Sequence, residues 1–255
     1  MRTTLTLSVV SHGHGPLLAR LLEQLNAQMG LSGTRVIVTL NLHEEEFDVS
    51  RYPALDLMAV RNIVPRGFGA NHNAAFKLCE TPWFGVLNPD LVLIDGEPFT
   101  RTLKSAHAVP NVGIIAPRIL GGNLDPEDSV RRNLDPWSLV RRHVFSERAP
   151  LDVQCAAHRG APFYWLAGMC LLLDADAFRE VRGFDERFFL YCEDYDLCAR
   201  MYNAGYSIAL EPDAKIIHDA RRDSHRSLRH LRWHFTSLTK VWLSAAFWRV
   251  TLTSR

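Results

Sequence analysis

Short apolar runs alternate with helical patterns along the first part of the chain. Runs rich in valine, leucine and isoleucine occur at residues 4–10, 35–40, 57–60 and 83–87. Between the first two, leucines recur at helical spacing behind Pro16, which is typical of a helix with proline in its first turn. Strands that alternate with helices predict an α/β fold, with a Rossmann-like, mostly parallel central sheet flanked by helices.

The second part of the chain is less regular. Residues 121–160 contain prolines, arginine pairs and little periodicity, which predicts a long irregular segment. The apolar run at 164–173 predicts a buried strand, and residues 206–210 and 214–218 predict two short ones. Between them a helix is expected to begin near Cys192, because acidic residues crowd its first turn and suit the positive end of a helix dipole.

Composition restricts the class of protein. The 255 residues include 29 Lys+Arg and 28 Asp+Glu, a net charge of +1, which argues against a surface built to bind nucleic acid. No apolar run approaches the ~20 residues that cross a bilayer. The five cysteines show no paired metal-binding spacing. We therefore expect a cytoplasmic protein with no nucleic-acid partner.

The tail, residues 226–255, combines an apolar stripe with a basic surface. Leu231, Phe235 and Trp242 fall on one face of a predicted amphipathic helix, and basic residues outnumber acidic ones. Two alternatives follow. The helix packs on the rest of the protein, or it lies peripherally on the anionic inner face of the cell membrane, with Trp233, Trp242 and Trp248 near the interface.

Three groups of residues carry candidate chemistry. Asn88 and Asp90 follow a predicted strand and can supply a carboxylate to a divalent cation, although an Asn-Pro turn that closes the strand is the alternative. His218 can complete such a site or serve as an ordinary buried histidine. Glu193 and Asp194 open a helix, where a carboxylate acts either as a general base or only as a cap.

These motifs, in this order, resemble the family 2 glycosyltransferases, and more narrowly their bacterial rhamnosyltransferase-like branch. The resemblance covers about residues 5–225. It is carried by residues 65–73, 88–90, 165–168, 183–189, 193–200 and 218.

The resemblance implies a GT-A fold over residues 1–225, with a nucleotide-binding half at about 1–118, an acceptor-binding half at about 119–225, and the helical tail beyond. It assigns Asp194 as the catalytic base and Asp90 with His218 as ligands of Mg²⁺ or Mn²⁺. The implied nucleotide-binding residues are Ser11, His12, His14, Asn41, Arg66, Gly67, Asn71 and Asn88. The implied acceptor-binding residues are Trp165, Tyr191 and Glu193, for which core packing or capping is the alternative. Arg221 and Arg222 are candidate contacts to the diphosphate, for which a solvated basic surface is the alternative.

The implied activity is metal-dependent transfer of a sugar with inversion. The resemblance implies L-rhamnose from dTDP-rhamnose, and a hydroxyl of a bacterial surface glycan or of a lipid-linked oligosaccharide as acceptor. Two alternatives remain: a non-catalytic sugar-binding or scaffold relative, and a sugar-nucleotide nucleotidyltransferase. The latter needs a basic residue in the glycine-rich loop after the first strand, and residues 11–16 contain none. The sequence predicts no oligomeric state.

Overall fold

The computed structural model describes residues 4–42, 47–144, 161–219 and 228–253, which contain ten strands and eight helices. The strands are β1 (Leu5–Ser11), β2 (Arg35–Leu40), β3 (Asp56–Arg61), β4 (Trp83–Leu87), β5 (Leu91–Leu93), β6 (Val112–Leu120), β7 (Val130–Arg132), β8 (Tyr164–Leu166), β9 (Cys170–Asp174) and β10 (Ser207–His218). The helices are α1 (Gly15–Asn26), α2 (Phe68–Phe76), α3 (Pro98–Ala106), α4 (Pro136–Val144), α5 (Ala175–Glu180), α6 (Glu193–Ala204), α7 (Leu228–Trp242) and α8 (Ala245–Thr253).

Eight strands form one central sheet in the order β3-β2-β1-β4-β9-β6-β10-β5, and β7 pairs with β8 in a second, two-stranded sheet. The strands β1 to β4 are mutually parallel, β9 runs against both β4 and β6, and β10 is parallel to β6. The α/β prediction, with its mostly parallel sheet, is therefore confirmed.

Burial explains why these strands form where they do. The strands β1, β2 and β4 are buried almost throughout, as expected for strands covered on both faces by helices. On one side of this sheet α1 contributes five buried leucines. The edge strand β3 is largely exposed, which explains why its apolar run in the sequence is short and weak.

Three sequence predictions of local structure were wrong. The segment 121–160 is not wholly irregular, because β7 and α4 lie within its described part. The run 164–173 is not one strand: a turn at residues 167–169 separates β8 from β9. The expected strands 206–210 and 214–218 are one strand, β10, because an irregularity between Glu211 and Lys215 accommodates Pro212 without leaving the sheet.

The tail forms two helices, and both contact the rest of the protein. In α7, Ser237 donates a hydrogen bond to the carbonyl of Leu190 (3.0 Å), and Trp242 donates one to the carbonyl of Leu134 (3.0 Å). In α8, Phe247 and Val250 are buried. Much of the tail therefore packs on the rest of the protein, which is the first of the two alternatives that the sequence left open. None of the helices within the described residues combines the length and the apolar character needed to cross a bilayer.

Candidate active site

The candidate residues converge on one edge of the central sheet. Because β1, β2, β4 and β10 run in the same direction, their carboxyl ends meet at this edge. These ends carry Ser11, Asn41, Asn88 and His218. The strand β9 runs the opposite way, so its first residues reach the same edge, where the backbone N–H of Asn88 donates to the carbonyl of Met169 (2.9 Å). Open α/β sheets bind ligands at such carboxyl edges.

Asp90 and His218 are brought together by strand pairing. The chain turns after β4 and enters β5, which pairs antiparallel with the end of β10 so that His218 lies opposite Leu91. The backbone N–H of Asp219 donates to the carbonyl of Asp90 (3.0 Å), which extends this pairing. As a result, Oδ2 of Asp90 lies 3.4 Å from Nε2 of His218. The structure thus brings together the two residues predicted to bind the metal.

A second carboxylate contacts His218 from the other side of its ring. Oε2 of Glu127 lies 2.9 Å from Nδ1 of His218. Burial lowers the pKa of His218, but the hydrogen bonds and the negative charges of Asp90 and Glu127 outweigh it and raise that pKa to about 9. The imidazole is therefore held in a strongly anionic environment.

The surroundings of Asp90 fit a divalent cation. Its Oδ1 is buried and has no hydrogen-bond partner among the described residues, which is costly unless a ligand occupies that position. The described part of the chain contains no cluster of three or more His, Cys, Asp or Glu side chains that could hold an ion alone. Mg²⁺ and Mn²⁺ commonly take only one or two protein ligands and complete their shell with substrate phosphates and water.

An asparagine network joins the loops at the ends of β1, β2 and β3. Nδ2 of Asn41 lies 3.1 Å from Nδ1 of His12 and donates to the carbonyl of Arg66 (2.9 Å), while its Oδ1 accepts from the N–H of Arg66 (2.8 Å). Asn62 donates to Oδ1 of Asn41 (2.7 Å) and of Asn71 (2.6 Å). The structure therefore places four predicted nucleotide-binding residues in one hydrogen-bonded cluster.

The remaining predicted nucleotide-binding residues flank this cluster. The hydroxyl of the buried Ser11 accepts from the N–H of His14 (3.2 Å) and shapes the turn into α1. Gly67 precedes α2 and packs directly on the backbone of Phe189, where an added Cβ would lie only 2.7 Å from the carbonyl oxygen. The N–H of Phe68 donates to that same oxygen (3.0 Å). This contact joins the predicted nucleotide half to the segment that precedes α6.

Asp194 lies in the first turn of α6 and is fixed by backbone donors. Oδ2 accepts from the N–H of Gly168 (2.9 Å), and Oδ1 accepts from the N–H of Tyr195 (2.8 Å). The two residues before α6, Tyr191 and Cys192, have φ angles of 72° and 63°, a left-handed conformation that is strained for side-chain-bearing residues. Strain of this kind is typical of functional sites and here leads the chain directly into the acidic pair.

The environments of Glu193 and Asp194 differ. Burial, and then the negative charge of Asp194, raise the pKa of Glu193 well above its usual range, and its Oε2 has no hydrogen-bond partner among the described residues. Burial raises the pKa of Asp194 as well, but the positive charge of Arg131 and the N–H groups of Gly168 and Tyr195 oppose that rise. The proton therefore favours Glu193 and the negative charge favours Asp194.

The predicted acceptor-side residues are placed differently from one another. Trp165 is only 3% exposed, donates to the carbonyl of Arg132 (2.8 Å) and packs against Tyr195, so the core-packing alternative describes it. Tyr191 stacks on His234 with ring centroids 3.5 Å apart and hydrogen-bonds Nδ1 of His230 (2.7 Å). The predicted diphosphate contacts, at positions 221 and 222, lie outside the described residues.

Three residues of the site were missed by sequence reasoning. Asn62 follows β3 just as Asn41 follows β2, so the rule that strand ends carry ligands could have found it. Glu127 and Arg131 lie in the segment that appeared aperiodic in the sequence, and no spacing connects them with His218 or Asp194. Their roles follow only from the folded structure.

Comparisons with known proteins show which proteins this chain is similar to. A 29% identical relative, the N-acetylglucosaminyl-diphospho-decaprenol L-rhamnosyltransferase of Mycobacterium tuberculosis, aligns with 99% of this chain and 89% of its own. The rhamnosyltransferase WbbL of Escherichia coli is 26% identical over 90% of this chain and 89% of its own. The solved structure of the mannosyltransferase PcManGT from Pyrobaculum calidifontis, in complex with GDP-Man and Mn²⁺, matches with a TM-score of 0.63 at 18% identity, over 94% of this chain and 65% of that one.

The sheet, its flanking helices and this structural likeness define a GT-A fold of the kind found in glycosyltransferases. The model of the glycosyltransferase-like family 2 matches residues 3–236, and the chain belongs to that family. It is a glycosyltransferase similar to rhamnosyltransferases. Neither a nucleotidyltransferase nor a non-catalytic relative finds support among these matches.

Gly67 allows a test of the contact between the two halves. We expect Gly67→Ala to lower the free energy of unfolding by about 1–3 kcal/mol, because its Cβ would collide with the backbone of Phe189. Gly15→Ala is the matched control, since nothing lies within 4 Å of its added Cβ, and we expect it to leave stability unchanged or to raise it by up to about 1 kcal/mol. Urea unfolding measures the free energy of unfolding of both variants. Equal changes in Gly67→Ala and Gly15→Ala would contradict a close contact between Gly67 and Phe189.

Proposed function

We propose that this glycosyltransferase transfers L-rhamnose from dTDP-rhamnose to a hydroxyl of a bacterial surface glycan or lipid-linked oligosaccharide. The transfer inverts the anomeric configuration and depends on Mg²⁺ or Mn²⁺. The enzyme works in the cytoplasm, at the inner face of the cell membrane. The division into a nucleotide-binding half, about 1–118, and an acceptor-binding half, about 119–225, belongs to the same proposal.

One observation carries the proposal. The Asp90–His218 pair and the Asp194 carboxylate lie at the same edge of the sheet, beside the cluster built around Asn41. A diphosphate bound at the first pair and an acceptor hydroxyl at Asp194 would then face the same bound sugar. The roles assigned to Ser11, His14, Arg66 and the neighbouring residues in holding the nucleotide rest on this arrangement.

The proposed reaction needs one base. Asp194 accepts the proton of the acceptor hydroxyl as that oxygen bonds to the anomeric carbon, while the bond from this carbon to the diphosphate oxygen breaks. The products are the new glycoside and the nucleoside diphosphate. Because the acceptor attacks directly from the face opposite the leaving group, the configuration inverts and no sugar–enzyme bond forms. The burial that raises the pKa of Asp194 makes its carboxylate a stronger base.

Asp90 and His218 are the residues that would hold the divalent cation. Oδ1 of Asp90 and Nε2 of His218 supply the oxygen and nitrogen ligands that Mn²⁺ accepts. A cation bound there would stabilise the negative charge that develops on the departing diphosphate. Asn88 stands in place of a first aspartate, so Asp90 is the main carboxylate of this motif.

The choice of donor and acceptor rests on the relatives. The names of both relatives specify rhamnosyl transfer, and one specifies N-acetylglucosaminyl-diphospho-decaprenol as its acceptor. The two alignments cover 99% and 90% of this chain. We therefore take dTDP-rhamnose and N-acetylglucosaminyl-diphospho-decaprenol as the first pair to test.

Substitution of the proposed base gives the sharpest kinetic test. We expect Asp194→Asn to lower kcat by about 10²–10⁴-fold, because the variant cannot accept the proton. Glu193→Gln is the comparison: burial raises the pKa of this carboxyl well above its usual range, so a neutral amide is a close substitute and we expect less than a tenfold loss. Release of dTDP from dTDP-rhamnose in the presence of the acceptor measures both, with thermal unfolding as the control for folding. A folded Asp194→Asn enzyme that keeps a tenth of its activity would contradict the assignment.

Peripheral membrane binding is the second element of the proposal. Leu231 and Phe235, one turn apart on α7, are 66% and 67% exposed, and Trp248 and Leu252 form a similar exposed pair on α8. Trp233 and Trp242, also predicted near the interface, instead contact Phe189 and Leu134 of the protein. The exposed basic side chains in these helices include Arg232 and Arg249. Apolar side chains flanked by arginine fit an anionic lipid surface.

We expect the protein to float with vesicles of phosphatidylglycerol and phosphatidylcholine. The double variant Leu231→Ser, Phe235→Ser should weaken this partitioning at least about tenfold, because each apolar side chain contributes about 1.5–3 kcal/mol when buried. The control Met29→Ser, Leu124→Ser removes two exposed apolar side chains elsewhere and should bind normally. Equal losses in both double variants, or no flotation of the wild type, would contradict this surface.

A further inference from the structure

The imidazole of His218 has a carboxylate on each of its two nitrogens. Asp90 approaches Nε2 at 3.4 Å, whereas Glu127 approaches Nδ1 at 2.9 Å, the shorter contact. The His218 side chain is 12% exposed and that of Glu127 is 32% exposed, so both are largely shielded from solvent. The proposed reaction assigns no role to Glu127.

The ring geometry separates the roles of the two carboxylates. The lone-pair or N–H directions of Nδ1 and Nε2 lie in the plane of the imidazole ring and diverge widely, so one ion cannot bind both nitrogens. An ion held by Nε2 and Asp90 therefore lies on the opposite side of the ring from Glu127. Glu127 is therefore placed to contact His218, the proposed metal ligand, and not the ion itself.

The backbone of Glu127 is fixed relative to the strand that ends in His218. Its N–H donates to the carbonyl of Ile119 in β6 (2.9 Å), and its own carbonyl accepts from the N–H of Ser129 (2.7 Å). Ile119 pairs with Ile216 of β10, two residues before His218. The sheet therefore fixes the backbone of Glu127 relative to His218, within reach of the 2.9 Å contact between the carboxylate and Nδ1.

We propose that Glu127 is a positioning residue of the metal site. It accepts a hydrogen bond from Nδ1–H of His218, which fixes the ring orientation and directs Nε2 toward the position of the ion. This role rests on the proposed function, in which Asp90 and His218 bind the divalent cation. Carboxylate partners of histidine ligands commonly contribute about 10–100-fold to metal affinity.

The test is a titration of the protein with Mn²⁺ alone, in which electron paramagnetic resonance counts the free ion. We expect Glu127→Ala to raise the Kd for Mn²⁺ by about 10–100-fold, and Glu127→Gln, which keeps an oxygen acceptor, to recover part of that loss. Asp125→Ala is the matched control: it removes an equal charge from the same loop, but its side chain contacts Asn123 and not His218, so the Kd should change little.

A double-mutant cycle separates positioning from a general effect of charge. In the His218→Ala background, Glu127→Ala should no longer alter the affinity for Mn²⁺, because the residue through which it acts is gone. An equal loss in both backgrounds, or an unchanged Kd in Glu127→Ala, would overturn the positioning role while leaving the metal site intact. A wild-type protein that binds no Mn²⁺ would overturn the metal site itself, and the role of Glu127 with it.

Discussion

The antiparallel pairing of β5 with the end of β10 is the constraint on which the rest of the site depends. The short strand β5 turns the chain back after β4, and its ladder sets Leu91 opposite His218, so that Asp90 meets the imidazole. No local pattern connects these two positions. The pairing brings two ordinary strand ends together as the proposed pair of metal ligands, and one buried carboxylate oxygen of Asp90 has no hydrogen-bond partner within the described part of the chain. That oxygen is the strongest physical indication of a bound cation.

The two acidic residues at the start of α6 lie in different electrostatic environments, which favours different protonation states for them. Both Glu193 and Asp194 are largely removed from water, which penalises their charged forms. Asp194 alone receives two backbone hydrogen bonds and the field of Arg131, so it holds the negative charge that its neighbour cannot. The left-handed backbone at residues 191–192 delivers this pair to the sheet edge. The proposed base and the proposed cation site are thus kept at the same edge by independent elements.

Much of this could be predicted from sequence, and the failures have physical causes. The runs 35–40 and 83–87 became β2 and β4 without change, because strands covered on both faces are apolar throughout. The stripe that contains Leu231 and Phe235 predicted an amphipathic helix that either packs on the protein or lies on a membrane. In the structure these two side chains are exposed, and other histidine and aromatic side chains of α7 make the contacts with residues 189–191. Periodicity identifies a helix but not which of two competing faces is buried. Glu127 came from an aperiodic segment, where only the tertiary fold determines neighbours.

The central claim is that the Asp90–His218 pair binds a nucleoside diphosphate through a divalent cation. The most direct measurement is the thermal shift of the purified protein with dTDP, UDP, GDP or CDP, each with and without Mn²⁺. A ligand that binds only the folded state raises the melting temperature. We predict that at least one diphosphate, dTDP first among them, raises Tm only when Mn²⁺ is present, and that Asp90→Ala abolishes the shift. Shifts of equal size with and without Mn²⁺, or no shift with any of the four, would contradict the claim.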